Sequence, residues 1–434
     1  LPGIDYCHFF RPGPVRRAAP LVTTAEGAIW GLGVAGLSLH ATGRAALDLG
    51  SADVWPGTSP AMQLLEGYAQ YAVLHMTARA GRQYVASRLG FQGLDGARLT
   101  LRHRGLGLEF TGYGGWGLAH GVALPVTSPA LNPLDDFQPR NRQLLTGAQL
   151  GWARPPVALR AVYEREFDPG PDYLVGERAG IDASLDLPLA LSLSGGADYD
   201  LAMGWWGSAE ATLGFTPVAS WLSATVGARR YRPHFDLWTI WGAFSPVPYH
   251  AMFGSVALGP RWGVRLRARG EQYRFEPAEA QTPLVVGAKD EGWRWTFGAS
   301  YTPKLPLTID AGYYLELGPG AGAGGFDGAV LYAPDERLRV SIHASMLERP
   351  LEFRFNESSL RAFGLDVEFR PSARLRIGAD VSRYDETRDR PDAAAVDWDQ
   401  FRATTRLTVL LGSAADQAGL PPAVRRMPSG GRRR

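Results

Sequence analysis

Residues 338–346, LRVSIHASM, carry the pattern that decides the fold. Apolar side chains occupy every second position from Leu338 to Met346, and the positions between them are polar, with Arg339 and His343 among them. Strict alternation of this kind is typical of a β-strand that is apolar on one face only. The segment therefore predicts a strand that separates an apolar from a polar environment.

The same alternation recurs along nearly the whole chain. It is clear at 262–271, 291–302 and 307–317, where Trp, Leu and Tyr alternate with Arg, Thr, Asp and Glu. Weaker examples are 36–48, 96–104, 106–116, 142–152, 157–167, 178–187, 189–200, 206–216, 221–232, 361–370, 374–384 and 401–411. Capped stripes with the i, i+3, i+4 spacing of an amphipathic helix are missing. We therefore predict an all-β chain of about 18 strands, within a range of 16–20.

The connections between these strands alternate in length. Tight turns such as Arg154–Pro156 alternate with longer polar or Gly/Pro-rich segments such as 117–141 and 385–399. The glycine-rich stretch Gly320 to Gly325 is expected to be a flexible loop of this second kind. Short turns at one end of a sheet and long loops at the other are the arrangement of an outer-membrane β-barrel.

Composition limits the alternatives. The 434 residues carry a net charge of +2 and are 45% hydrophobic, but no run of 18 apolar residues could form a transmembrane helix. The single cysteine, Cys7, excludes a disulfide scaffold and a cysteine-based zinc or haem site. A β-sandwich hides its apolar face, and a solenoid repeats its sequence with a fixed period. So many amphipathic strands without a domain break instead need lipid as the solvent for one face.

The sequence thus predicts a transmembrane antiparallel β-barrel in the outer membrane of a Gram-negative bacterium. We assign the barrel to residues 36–412, an N-terminal arm or plug to 1–35, and a basic, disordered C-terminal tail to 413–434. Its expected surroundings are outer-membrane lipid and lipopolysaccharide. We expect no nucleic-acid partner.

In such a barrel the polar face lines the lumen. The candidate pore-lining residues are Arg98, Arg102, Arg265, Arg267, Arg269, Arg294, Arg339, Arg374, Arg376, Arg402, Arg406, Glu164, Glu166, Asp182, Asp310 and Glu316. Acids dominate 164–210 and arginines dominate 261–294 and 374–406, which closure would place on opposite walls. Two interpretations remain open here. The charges could be solvated or paired across strands to stiffen the wall, or they could form a selectivity surface for anionic or polyhydroxyl solutes.

One long loop is unusually apolar. Residues 233–249 include Phe235, Trp238 and Trp241, and exposed apolar patches usually mark an interaction surface or a segment that folds back. The loop could narrow the lumen, or it could cap the outer mouth and bind an envelope protein.

Residues 78–104 contain two short motifs, Gly-Arg-Gln at Gly81–Gln83 and Leu-Asp-Gly at Leu94–Gly96. With them the chain resembles the alginate-export type of outer-membrane channel and related large porins. The resemblance implies a channel of about 18 strands that passes anionic polysaccharide or small solutes, with lumenal arginines in contact with the substrate.

One pair of residues has the spacing of a hydrolytic site. His343 and Ser345 have the spacing of a base and nucleophile. Their position in the alternation, that is, their parity, places both on the polar face. Lipid-hydrolysing pairs in outer-membrane barrels must instead face lipid. No acidic pair, metal cluster or phosphate-binding glycine loop stands out. We therefore predict a passive channel that is not an enzyme and has no cofactor. The alternative is a structural barrel of an envelope assembly, plugged by its loops or by a partner.

Overall fold

The computed structural model describes residues 19–50, 62–118, 143–169, 173–217, 221–232, 248–276, 290–318, 321–348, 357–389 and 397–411. In these ranges the chain forms 21 β-strands, and every recorded strand pairing is antiparallel. The described residues include no helix long and apolar enough to cross a membrane.

The strands follow one another along the chain, separated by connections that range from 2 residues between β3 and β4 to 26 residues between β6 and β7. They are β1 (Pro20–Trp30), β2 (Leu37–Asp48), β3 (Met62–Val73), β4 (Met76–Ser87), β5 (Gly90–His103), β6 (Leu108–Gly117), β7 (Leu144–Arg154), β8 (Val157–Asp168), β9 (Tyr173–Leu187), β10 (Leu191–Asp200), β11 (Trp205–Phe215), β12 (Leu222–Tyr231), β13 (Tyr249–Arg261), β14 (Val264–Phe275), β15 (Glu291–Tyr301), β16 (Leu307–Gly318), β17 (Ala321–Tyr332), β18 (Leu338–Glu348), β19 (Glu357–Ser372), β20 (Leu375–Asp389) and β21 (Trp398–Val409).

The alternating segment at 338–346 lies in β18, and its register explains its sequence. Ile342 pairs with Val330 on β17 and with Leu365 on β19, so an apolar row crosses three strands on one face. Ile342 nevertheless remains 45% exposed, and many large apolar side chains of other strands are exposed in the same way. Contact of so much exposed apolar surface with water would be energetically unfavourable. The apolar face is therefore suited to lipid.

Two compact units divide the chain. The first contains β1–β6 and β7 as far as Trp152, the second contains β10–β21, and β8 and β9 are divided between them. The strands of the second unit pair in sequence order from β9 to β21.

Glycines on the polar face mark a sharp bend in the first unit. Gly81, Gly96 and Gly115 are direct partners across β4, β5 and β6. A Cβ on Gly96 would overlap the carbonyl of Gly114, and one on Gly115 would overlap the carbonyl of Asp95. Glycine kinks of this kind allow a sheet to curve. The Gly-Arg-Gln and Leu-Asp-Gly motifs thus supply the bend, and Arg82 and Asp95 join across it through Nε and Oδ1 at 2.7 Å.

The structure differs from the predicted strands at several places. Strands β1, β3, β4, β13 and β17 were missed. The expected loop at Gly320 to Gly325 is wrong, because β17 begins at Ala321 and pairs with β16 through Gly322 and Gly324. A strand made of glycine and alanine has no alternation to detect, so periodicity misses it.

The predicted boundaries are only partly covered. Strand β1 pairs with β2 along its whole length, so the sheet extends into the segment assigned to an arm or plug. Residues 1–18 and the tail at 413–434 lie outside the described residues. A closed sheet in which all neighbours are antiparallel needs an even number of strands, and 21 is odd. The strand number of the closed barrel therefore stays a prediction.

Candidate pore-lining site

Four charged residues converge on the polar face of β12 to β16. The register places Glu271, Arg294 and Glu316 side by side on β14, β15 and β16. Arg294 binds both carboxylates, with Nη1 at 3.2 Å from Oε1 of Glu271 and Nε at 2.9 Å from Oε1 of Glu316. Arg229 on β12 reaches Glu271 from the other side, with Nη2 at 2.6 Å from Oε1. We call these residues the arginine–glutamate network.

Three further side chains complete the coordination of the two carboxylates. The hydroxyl of Tyr273 donates to Oε1 of Glu316 at 2.9 Å, and the hydroxyl of Tyr314 donates to Oε2 of the same residue. Arg269 approaches Oε2 of Glu271 at 3.4 Å. Glu271 is only 4% exposed, so its charge depends on these partners in place of water. The network cross-links the strands of this wall.

Two arginines on β14 lie beside this network without such partners. Arg265 and Arg267 follow Arg269 along the polar face. Their neighbours across the ladder are small, since Arg267 pairs with Ala257 on β13 and with Gly298 on β15. Within the described residues neither guanidinium has a hydrogen-bond or ion-pair partner, and both are exposed. We call Arg265 and Arg267 the arginine ladder. They present two uncompensated positive charges.

Other predicted pore-lining residues are paired locally. The recorded pairs are Arg102 with Glu109 at 2.6 Å, Arg376 with Glu368 at 3.7 Å, Arg402 with Gln400 at 2.8 Å, and Glu164 with Gln92 at 2.8 Å and Tyr113 at 3.0 Å. Glu164 is buried, and its bonds reach from β8 to β5 and β6. These contacts favour a wall-stiffening role for part of the predicted set.

The remaining predicted residues are not gathered into one site. Arg98, Arg339, Arg406 and Asp310 have no hydrogen-bond or ion-pair partner within the described part of the chain. Glu166 and Asp182 lie on strands β8 and β9 and take part in other interactions. One assignment needs correction: Arg374 lies in the turn between β19 and β20, outside the paired strands, because β20 begins one residue later than the alternation suggested.

Tyr273 and Tyr314, which bind Glu316 of the network, were not among the predicted site residues. Both lie two residues from a glutamate of the same strand, at Glu271 and Glu316, so parity alone places each tyrosine on the polar face. What could not be read was the cross-strand distance. The 43-residue separation between Tyr273 and Glu316 closes only through the register of three strands.

A second charged contact joins Glu276, the residue that follows β14, to one residue of β12 and one of β13. Nε of Arg230 is 2.8 Å from Oε1 of Glu276, and Nε2 of His250 is also 2.8 Å from that oxygen. The hydrogen bond from Arg230 holds the pKa of Glu276 below its usual range. This contact ties the residue that follows β14 to β12 and β13.

Acid should release this tether. A carboxyl group whose pKa is lower in the folded state adds stability above its unfolded pKa and loses it as pH falls through the folded pKa. We expect faster amide hydrogen exchange at His250 and Ala251 below about pH 4, after correction for the intrinsic rate. The Glu276→Gln variant should show the faster exchange at pH 7 already. Equal protection in both proteins at pH 7 would contradict this role.

A cavity of about 1100 Å³ lies elsewhere in the second unit. Its lining is mainly apolar and includes Ile181, Ala183, Leu193, Ala211 and Met252, which belong to the apolar faces of their strands. This cavity is part of the lipid-facing surface and does not mark a site for a polar solute.

No protein-family model matches this sequence, and no curated protein sequence does. Solved structures are similar. The siderophore receptor PirA from Pseudomonas aeruginosa has a TM-score of 0.55 at 11% identity, over 91% of this chain and 77% of that one. The copper transporter OprC has a TM-score of 0.55 at 11% identity, over 91% of this chain and 79% of that one.

Identity this low shows the fold alone. The chain has the fold of an outer-membrane β-barrel, which confirms the predicted fold class and the location in the bacterial outer membrane. Nothing in these matches confirms the alginate-export type.

The prediction that this chain is not an enzyme has to be corrected. OmpT of Vibrio cholerae is also among the similar structures, with a TM-score of 0.35 and 12% identity over 62% of this chain and 89% of that one. A TM-score this low carries no argument about the activity of this chain. The parity argument excluded one pair, His343 and Ser345, and the exclusion of every hydrolytic activity was too broad.

Proposed function

We propose that this protein is a porin-like channel for the passive passage of polar solutes, with a preference for anions. The observation that carries the proposal is the arginine ladder. Arg265 and Arg267 project from the polar face of β14, exposed and uncompensated among the described residues. Uncompensated arginines in a lumen raise the local concentration of anions.

Together with Arg269, the arginine–glutamate network has a charge of the right sign for an anion preference, but its charged groups are bound to one another. Arg229, Arg269 and Arg294 outnumber Glu271 and Glu316, so the network together with Arg269 is positive by one charge. Its groups are bound to one another, which fixes the wall and leaves the ladder as the open electrostatic feature. Whether the solute is a small anion or an anionic polysaccharide stays a prediction.

The ladder can be tested by its charge. In Arg265→Ser/Arg267→Ser, the anion-over-cation permeability ratio should fall roughly sevenfold per arginine at low salt, since a unit charge about 7 Å away in water stabilises an anion and destabilises a cation by about 0.6 kcal/mol each. The measurement is the reversal potential in a planar bilayer under a KCl gradient. The matched control is Arg104→Ser/Arg337→Ser, which removes two charges from turns. Equal reversal potentials in both double variants would refute the proposed role of the ladder.

A second candidate, a structural barrel with a packed lumen, is favoured by one observation. Val85, Leu94, Tyr113 and Leu145 form a buried cluster, and their positions in the register place them on the polar face of β4 to β7. Leu94 is 0% exposed, which an open, water-filled lumen would not produce at that point. Absence of any pore current in the purified protein would favour this second candidate.

The predicted partners remain proposals. Outer-membrane lipid and lipopolysaccharide would contact the apolar face and its charged ends, and a polar or anionic solute or polysaccharide would contact the ladder. The envelope protein proposed for loop 233–249 cannot be placed on the fold, because all but the last two residues of that loop lie outside the described residues.

A further inference from the structure

A serine, a histidine and an aspartate meet on the polar face of β18 to β20. His343 on β18 is the direct partner of Gly364 on β19, and Gly364 is the direct partner of Ser382 on β20. Asp366 lies two residues after Gly364 on the same strand and therefore on the same face. None of these residues belongs to the arginine–glutamate network or the arginine ladder.

The imidazole of His343 is oriented by Asp366. Its Nδ1 lies 3.0 Å from Oδ2 of Asp366. A carboxylate accepts a hydrogen bond from Nδ1–H, and the neutral ring then carries its lone pair on Nε2. The carboxylate thus fixes the tautomer in which Nε2 is available as a base.

The imidazole of His343 lies over Gly364, which stands between His343 and Ser382 in the register. A Cβ placed on Gly364 would overlap Nε2 and Cε1 of the imidazole and would lie 3.1 Å from Oγ of Ser382. Only glycine allows the ring to lie there, and Gly364 itself places no side chain between the base and the hydroxyl. Base and nucleophile commonly stand farther apart without substrate than in the reacting complex.

We propose that Ser382, His343 and Asp366 form a catalytic triad that hydrolyses carboxylic esters. Oγ of Ser382 adds to the acyl carbon while its proton passes to Nε2 of His343. The bond from the acyl carbon to the alcohol oxygen then breaks, and His343 returns the proton to the departing alcohol. Water, deprotonated by His343, attacks the acyl-serine and releases the carboxylic acid and Ser382.

The surroundings indicate which esters fit. His343 and Asp366 are open to solute, with side chains 39% and 50% exposed, whereas Ser382 is 7% exposed. This difference favours small or flexible acyl groups that can reach past the imidazole. Arg402 on β21 is the direct partner of Ser382, so a positive charge lies on the neighbouring strand at this point of the register. Esters with an anionic group match this positive neighbour.

The test uses the full chain, folded in detergent micelles, with a fluorophosphonate probe and p-nitrophenyl butyrate. We expect mass spectrometry to find the probe on Ser382, and Ser382→Ala or His343→Gln to lower kcat/KM at least about 100-fold. Gly364→Ala, which displaces the ring and removes no reacting atom, should also abolish labelling. Ser345→Ala, on the same face of β18, should leave labelling and hydrolysis unchanged.

Folding is checked by the heat-modifiable mobility of each variant on a gel, so a lost label in a folded variant is informative. A probe on another serine, or hydrolysis that is equal in Ser382→Ala and the unmodified protein, would overturn the triad. Pore currents are measured separately, so failure of the triad does not affect the proposed channel.

Discussion

Replacing Glu271 by alanine should lower the free energy of unfolding by about 3 kcal/mol, near the lower end of the cost of breaking a buried ion pair. The carboxylate is buried between Arg229, Arg269 and Arg294, and its loss leaves three guanidiniums facing one another. These arginines are partly exposed, which moderates the cost. The remaining acid, Glu316, already binds Arg294 and two tyrosine hydroxyls and cannot compensate.

The prediction is checked by urea titration of the protein folded in lipid vesicles, which yields the free energy of unfolding from the midpoint and slope. The matched control is Glu109→Ala. Glu109 binds Arg102 at 2.6 Å, but both side chains are nearly half exposed, and pairs of that kind contribute about 0–1 kcal/mol. Equal losses in the two variants would show that burial of Glu271 does not matter.

Replacing Gly96 by alanine should prevent the first unit from folding normally or destabilise it by at least about 3 kcal/mol. The added methyl group would overlap the Gly114 carbonyl, and it is backbone, not a movable side chain, that stands in the way. Strands β5 and β6 would have to separate where the sheet bends. Glu164 of β8 binds Gln92 of β5 and Tyr113 of β6 in this region. We expect these hydrogen bonds to be lost together with the bend.

The comparison variant for this prediction is Gly27→Ala on β1. A Cβ there meets nothing within 4 Å, so the change should alter stability by no more than about 0.5 kcal/mol. Heat-modifiable gel mobility after refolding reports whether each variant reaches the folded state. If Gly96→Ala refolded as well as Gly27→Ala, the bend would not depend on glycine.

The sequence predicted the fold class because alternation is a local signal. At 338–346 every apolar residue reaches the apolar face of β18, and the same holds for 307–317 in β16. Prediction failed where this signal is weak, as in the glycine-rich start of β17. It also misplaced Arg374, because alternation alone does not separate the first residue of a strand from the last residue of a turn.

The site was only partly accessible to sequence reasoning. Parity placed Arg265, Arg267 and Arg294 on the polar face, but it could not show which arginines are neutralised. That difference depends on register, which sets Arg294 between two glutamates and Arg267 beside Gly298. His343 shows the same limit. The sequence suggested Ser345, two residues away, as its partner, and the fold instead brings it to Asp366 and Ser382 on two other strands.

The most direct test of the channel is a planar-bilayer recording of the unmodified purified protein under a tenfold KCl gradient. We expect steady open-pore currents. Because the arginine ladder favours anions, their reversal potential should be shifted from zero towards the equilibrium potential of chloride. The recording is repeated after deletion of residues 233–247, in case that loop closes the pore. No current from either protein, or a reversal potential shifted towards the equilibrium potential of potassium, would contradict the proposed anion-preferring channel.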